Sequence, residues 1–147
     1  MYLLIITILS SAFLSLAAAH VSAVYLTERI TILGSFLGLQ QSFNEGIAFG
    51  VNLGAYQESI IIIALIIIGF VSFRSARRIL EQVGFGLILG GGLANIIDRA
   101  IDGYVTDMIQ VGGFPIFNLA DVFINVGVGL LLIDLLIVRL RKKQVSK

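Results

Sequence analysis

The 147-residue chain contains no cysteine, no tryptophan, one proline and one histidine. Without cysteine there is no disulfide, thiolate metal site, iron–sulfur cluster or cysteine nucleophile. A single histidine, His20, removes the paired-histidine zinc motifs. It lies in an apolar run with no nucleophile-elbow motif nearby. Charge is scarce as well. Asp, Glu, Lys and Arg make up 13% of the chain, about half the share in a soluble domain. Ten bases against nine acids leave a net charge of +1, so no basic surface marks a nucleic-acid partner. Carboxylates are the tools left for chemistry.

What the chain has in quantity is apolar surface, at 58% of residues. Its length suits one domain, and the composition makes residues 1–147 a single integral membrane domain. No residue from Met1 to Thr27 carries a full side-chain charge, and that run is long enough to cross about 30 Å of hydrocarbon. A secretory signal peptide is the competing reading, with Ala17-Ala18-Ala19 as its cleavage region. Against it, no base precedes the run, and the run exceeds the apolar core of a typical signal peptide. Three further runs follow: Ser59–Phe73, Gln82–Ile97 and Val122–Val138. Each is slightly short of the ~20 residues a crossing needs. The polar residues that bracket them must therefore sit at or just inside the interface.

Eight of the ten bases fall after the second run (Arg74, Arg77, Arg78) or after the fourth (Arg139, Arg141, Lys142, Lys143, Lys147). Four alternating spans put both segments on one side, and the positive-inside rule makes that side cytoplasmic, with both termini. Seven of the nine acids fall on the other side: Glu28, Glu45, Glu58, Asp98, Asp102, Asp107 and Asp121. They mark the extracytoplasmic face as the place of action, or they are solvated connectors. The segment from Thr27 to Gln57 is too polar and glycine-rich to span. Alternating Ile30, Ile32 and Phe36, broken by Gly34 and Gly38, predict a short strand or hairpin there, with a polar turn at Gln40-Gln41-Ser42.

Asp107 lies in a β-prone segment behind a glycine turn, and Asp121 stands at the outer mouth of the fourth span. Gly112, Gly113 and Pro115 lie between them and let the chain turn back, so the two acids can meet. Two adjacent carboxylates share one proton. The ionised member can then activate water while the protonated one donates to the substrate. Each also has a plainer reading, Asp121 as a helix N-cap and Asp107 as a solvated loop acid. Gly90, Gly91 and Gly92 in the third span permit close helix packing. Asn95 and Asp98 share a face three residues apart, and Arg99 at that depth calls for an acidic or phosphate partner. Among the remaining polar residues, His20 reads as a satisfied side chain between helices, and Glu81 as an ion pair with Arg77 or Arg78. Asp134 reads as the answer to a base from Arg139 onward.

Four motifs stand in order along the chain. They are Asn44-x-Gly46-x-Ala48-Phe49, Gly90-Gly91-x-x-x-Asn95-x-x-Asp98-Arg99, Gly103-x-Val105-x-Asp107 and Phe117-Asn118-x-Ala120-Asp121. Together they resemble the motifs of lipoprotein signal peptidase, or signal peptidase II. The resemblance implies an all-α polytopic membrane protein with four transmembrane helices and a small extracytoplasmic β-cradle. It further implies an aspartic endopeptidase of the bacterial inner membrane that cuts diacylglyceryl-modified prolipoproteins before the modified cysteine. Asp107 and Asp121 would be the catalytic dyad. Asn44, Gly46, Asn95, Arg99 and Asn118 would position dyad and substrate. No cofactor or metal is implied; the partners are the prolipoproteins and membrane lipids. The family usually has an Asp and a Lys near the end of its first span, where this chain reads His20 to Thr27 and then Glu28-Arg29. Two alternatives stay open: a carrier or scaffold with its acids on an ion path, and an inactive, divergent member of the family.

Overall fold

The second, third and fourth apolar runs each fold as a helix longer than the run itself, because the bracketing polar residues continue the helix instead of ending it. The first helix stops at Tyr25, inside its run. A computed structural model describes residues 1–46 and 54–145. The helices are α1 (Tyr2–Tyr25), α2 (Gln57–Ser75), α3 (Ile79–Asp102) and α4 (Leu119–Val145). At 24, 19, 24 and 27 residues, all four have the length and apolarity to cross a membrane. Their outward side chains are large and apolar, including Ile6, Phe13, Ile66, Phe70 and Leu136. That surface is suited to lipid.

Strands β1 (Ile30–Leu33), β2 (Leu37–Asn44) and β3 (Val105–Val111) form an antiparallel sheet in the order β1-β2-β3. The hairpin expected after α1 is there, with its turn at Gly34–Phe36. The predicted turn at Gln40-Gln41-Ser42 is not. Those residues lie inside β2, where the pairing with β3 shifts between Leu39 and Ser42. The polar residues are absorbed by an irregularity in a strand, not by a reversal. Ala19 of α1 and Leu26 just after it pack with Met108, against Leu39 and Ile109, and fasten the sheet to the bundle.

Helix α3 is the centre of the bundle and packs against α1, α2 and α4. Its three consecutive glycines make this possible, because successive helical residues point about 100° apart. A Cβ on Gly90 would run into α1, against Ser11 Oγ and 2.5 Å from the Ile8 carbonyl. On Gly91 it would meet the Ala120 carbonyl of α4 at 2.6 Å, and on Gly92 the Leu65 side chain of α2 at 2.6 Å. Each glycine thus admits a different neighbour.

The end of the bundle away from the sheet is held by charge. Glu81 Oε2 accepts from the backbone N–H groups of Arg77 and Arg78, both at 2.9 Å, which starts α3. The Arg78 guanidinium pairs with Glu81, as expected, and also with the buried Asp134. Asp134 therefore answers a base on the α2–α3 connection rather than one further along its own helix. His20, expected between helices, is exposed on the outside of α1.

Gly90→Ala and Gly91→Ala should each destabilise the bundle by about 1–3 kcal/mol through overpacking against backbone atoms. Gly129→Ala, on α4 where an added Cβ meets nothing within 4 Å, should leave stability unchanged or raised. Thermal unfolding of the detergent-solubilised variants checks the contrast, and equal effects at the three positions would refute it.

Candidate active site

The site begins where α3 ends. Gly103 adopts φ of 84°, the left-handed region that favours glycine, and its N–H bonds the Arg99 carbonyl at 2.8 Å. That cap stops the helix two residues before β3. Asp98, in the last turn of α3, accepts from the Thr106 N–H at 2.7 Å, which fixes the start of the strand. Asp107 follows and is 2% exposed, so it is not a solvated loop acid. It pairs across the sheet with Ser42, and the diagonal neighbour Asn44 donates from Nδ2 to Asp107 Oδ2 at 3.0 Å.

Beyond β3 the chain turns back, as the glycines and proline predicted. Phe117 pairs with Ile109: the N–H groups of Met108 and Ile109 donate to the Phe117 carbonyl, and the Phe117 N–H donates to the Ile109 carbonyl. This delivers the next residue, Asn118, to Asp107. Asn118 then caps α4. Its Oδ1 accepts from the Asp121 N–H at 2.9 Å, and Asp121 Oδ2 accepts from the Asn118 N–H at 3.3 Å. This reciprocal arrangement is a capping box. Asp121 is therefore the third helical residue, and the N-cap role that its position suggested belongs to Asn118.

The same asparagine joins the two acids. Asn118 Nδ2 donates to Asp107 Oδ1 at 2.9 Å and to Asn95 Oδ1 at 3.0 Å, and Asn95 Nδ2 donates to Asp121 Oδ1 at 3.0 Å. Asp107 and Asp121 are thus linked through two amides, each with a definite orientation. Burial pushes the Asp107 carboxyl up to about 6. The Asp121 charge adds to that, while the bonds from Asn44 and Asn118 and the Arg99 charge oppose it.

Arg99 is buried and forms no ion pair among the described residues. Its Nη2 instead donates to the Gly46 carbonyl at 2.7 Å, so the expected acidic or phosphate partner is replaced by backbone. Gly46 closes a tight turn by donating its N–H to Asn44 Oδ1 at 2.9 Å. Ala48 and Phe49 of that motif lie outside the described residues. Gln57 was not foreseen: buried at the start of α2, it donates to the Glu45 carbonyl at 2.8 Å and holds the same turn. Nothing short of the fold signals it, since a glutamine before an apolar run is an ordinary interfacial residue. Arg29 is engaged elsewhere, with Gln110 Oε1 at 2.7 Å, Thr31 Oγ1 at 2.8 Å and the Gly34 carbonyl at 3.2 Å. It braces the hairpin. Among the described residues no three acids or histidines gather as metal ligands.

Solved structures of the same shape are membrane enzymes. One, described as a bacterial membrane enzyme structure by the in meso method at 2.3 Å, superposes with a TM-score of 0.81 at 30% identity, over 90% of this chain and 87% of the other. A second, at 1.9 Å, gives 0.79 at 30% identity, over 90% and 92%. The family model for signal peptidase (SPase) II matches residues 3–137, and the chain belongs to that family. The lipoprotein signal peptidase of Mesorhizobium japonicum is 41% identical over 110 residues, 69% of this chain and 66% of that protein. That of Brucella ovis is 36% identical over 121 residues, 77% and 75% of the two chains. The chain is thereby a multi-pass protein of the bacterial inner membrane.

Because the Asn44 bond favours the charged form of Asp107, Asn44→Ala should raise the Asp107 pKa above about 6. The protonated carboxyl band in infrared difference spectra, followed against pH, reads this directly. An unchanged or lowered midpoint would contradict the assigned balance of forces.

Proposed function

We propose that the chain is an aspartic endopeptidase that cuts diacylglyceryl-modified prolipoproteins just before the modified cysteine, at the outer face of the inner membrane. The observation that carries this reading is the pair Asp107 and Asp121, joined through Asn118 and Asn95. Asp107, held up by burial, carries the proton that the two share, and Asp121 is the base. An acid kept protonated beside a carboxylate is the division of labour that hydrolysis of a peptide bond needs.

The step balances as follows. Water attacks the scissile carbonyl carbon, its proton passes to Asp121, and Asp107 gives its proton to the carbonyl oxygen. The C–N bond then breaks, the amine nitrogen takes the proton from Asp121, and Asp107 recovers its own. Asn95 and Asn118 keep the two carboxyls in register throughout. Arg99 and Gln57 hold the Asn44–Gly46 turn against the site from two different helices, so that Asn44 stays on Asp107. The substrate's acyl chains stay in lipid against the apolar outer faces of the spans, which fits a site at a helix end. The clusters of bases at the opposite helix ends support a reading with both termini in the cytoplasm. An ion-coupled carrier has less support, because Asp134, the acid furthest inside a span, is taken by Arg78.

Asp107→Asn and Asp121→Asn should each lower the processing of a diacylglyceryl-modified prolipoprotein by about 10²-fold or more. Parental rates in either variant would refute the dyad. In the parent, the rate should fall as pH rises through about 6, where Asp107 loses the proton it donates. Stability should follow the same sign. A carboxyl whose pKa is raised from 3.8 to about 6 by folding adds stability that is fully present below 3.8 and lost as pH rises through about 6. The loss, up to about 3 kcal/mol between pH 4 and pH 8, should be missing from the Asp107→Asn variant when unfolding midpoints are compared across that range.

A further inference from the structure

Most hydroxyls in the spans bond back into their own helix. Thr7, Ser10, Ser11, Ser72 and Ser75 each donate to a carbonyl in the preceding turn. Ser15 does not. It is 5% exposed, its Oγ is buried, and no described residue bonds it. An unpartnered buried hydroxyl costs about 1–3 kcal/mol, so a partner is expected.

Ser15 lines a small cavity beside the dyad. Leu16 and Ala19 of α1 line it as well, with Asn95, Asp98 and Asn118. Asn95 and Asp98 have capacity to spare. Asn95 Nδ2 spends one hydrogen on Asp121 and has a second. Asp98 takes the Thr106 N–H on Oδ2, which leaves Oδ1. The space is about that of a single water molecule, and an internal water needs two to four polar partners. We infer that this cavity is a binding site for one structural water, which accepts from Asn95 Nδ2 and donates to Asp98 Oδ1 while pairing with Ser15 Oγ.

Ser15 is then a positioning residue. Through the water it ties α1 to the amide that orients Asp121, a link that no direct hydrogen bond among the described residues supplies. The water is distinct from the nucleophile, because neither Asp107 nor Asp121 lines the cavity. The kinetic part of this inference rests on the dyad proposed above; the water itself does not.

The test uses two variants of the full chain. Ser15→Val fills the space and expels the water, whereas Ser15→Ala removes one of its partners and leaves the others. Ser15→Val should lower kcat by about tenfold to a hundredfold through misplacement of Asp121, with KM unchanged and the unfolding midpoint at or above the parent's. Ser15→Ala should lower kcat by less. A crystal structure that orders internal solvent should show a peak about 2.7–3.2 Å from Ser15 Oγ and Asp98 Oδ1, absent from Ser15→Val. The inference is overturned if Ser15 Oγ bonds its own helix with no such peak, or if Ser15→Val keeps the parental kcat. It is overturned equally if KM alone rises, since the cavity would then hold part of the substrate. Failure of the dyad shows separately, as activity in Asp107→Asn or Asp121→Asn, and leaves the solvent peak in place.

Discussion

Three helices must reach a fourth within one turn, and Gly90, Gly91 and Gly92 are where that happens. Each of them faces a different neighbour at a distance that a Cβ would close. In lipid no hydrophobic effect draws spans together, so close packing of small residues has to supply the association. The consequence reaches the site directly. Gly91 sets the approach of the Ala120 carbonyl, one residue from Asp121. Gly90 sets the approach of α1, and Ser15 lies about one turn along that helix. Asn95 follows the glycines by three residues, so its amide is placed by the same packing. A bundle loosened at this point would still span the membrane but would lose the register between Asn95 and Asp121.

From that packing the site is assembled largely by helix-end chemistry. The groups that must be satisfied at the end of α3 and the start of α4 are the groups that locate the acids. Gly103 stops α3, Asp98 catches the first residues of β3, and Asn118 caps α4. Each bond answers a backbone need that would exist in any protein. Asn118 does both tasks, since its Oδ1 caps the helix while its Nδ2 bridges Asp107 and Asn95. Losing it therefore removes helix stability and the link between Asp107 and Asp121 together, and a loss of activity alone cannot separate the two.

The spans were legible because long apolar runs with charged brackets have few other uses. Their ends were not, since Glu81 and Asp121 look like boundaries yet sit inside helices that start before them. The hairpin was legible from alternation, but Gln40 and Gln41 resembled a turn because an irregular strand and a reversal both collect polar residues. At the site, Asp107 and Asp121 could be paired from the turn residues between them. What could not be read was who holds them. Asn44 reaches Asp107 across a sheet from 63 positions away, and Gln57 holds a turn on another element. Such contacts have no local signature. Arg99 and Asp134 show the same limit, as both found partners that charge matching along the chain did not suggest.

Burial of Asp107 carries a cost that the fold does not remove. Asn44, Asn118 and Arg99 all favour its charged form, yet desolvation outweighs them and the pKa stays near 6. A protein selected for stability alone would place an apolar residue at a strand position that is 2% exposed. The opposing forces are arranged so that neither wins completely. Enough donors surround the carboxyl to fix its orientation, and too few to return its pKa to the ordinary value. A carboxyl poised near 6 keeps its proton into mildly acidic conditions, where an ordinary Asp has already lost it. That balance also explains why the supporting residues are amides instead of further cations. A lysine in place of Asn44 would orient Asp107 as well, but would favour its charged form over the protonated form that the proposed mechanism uses.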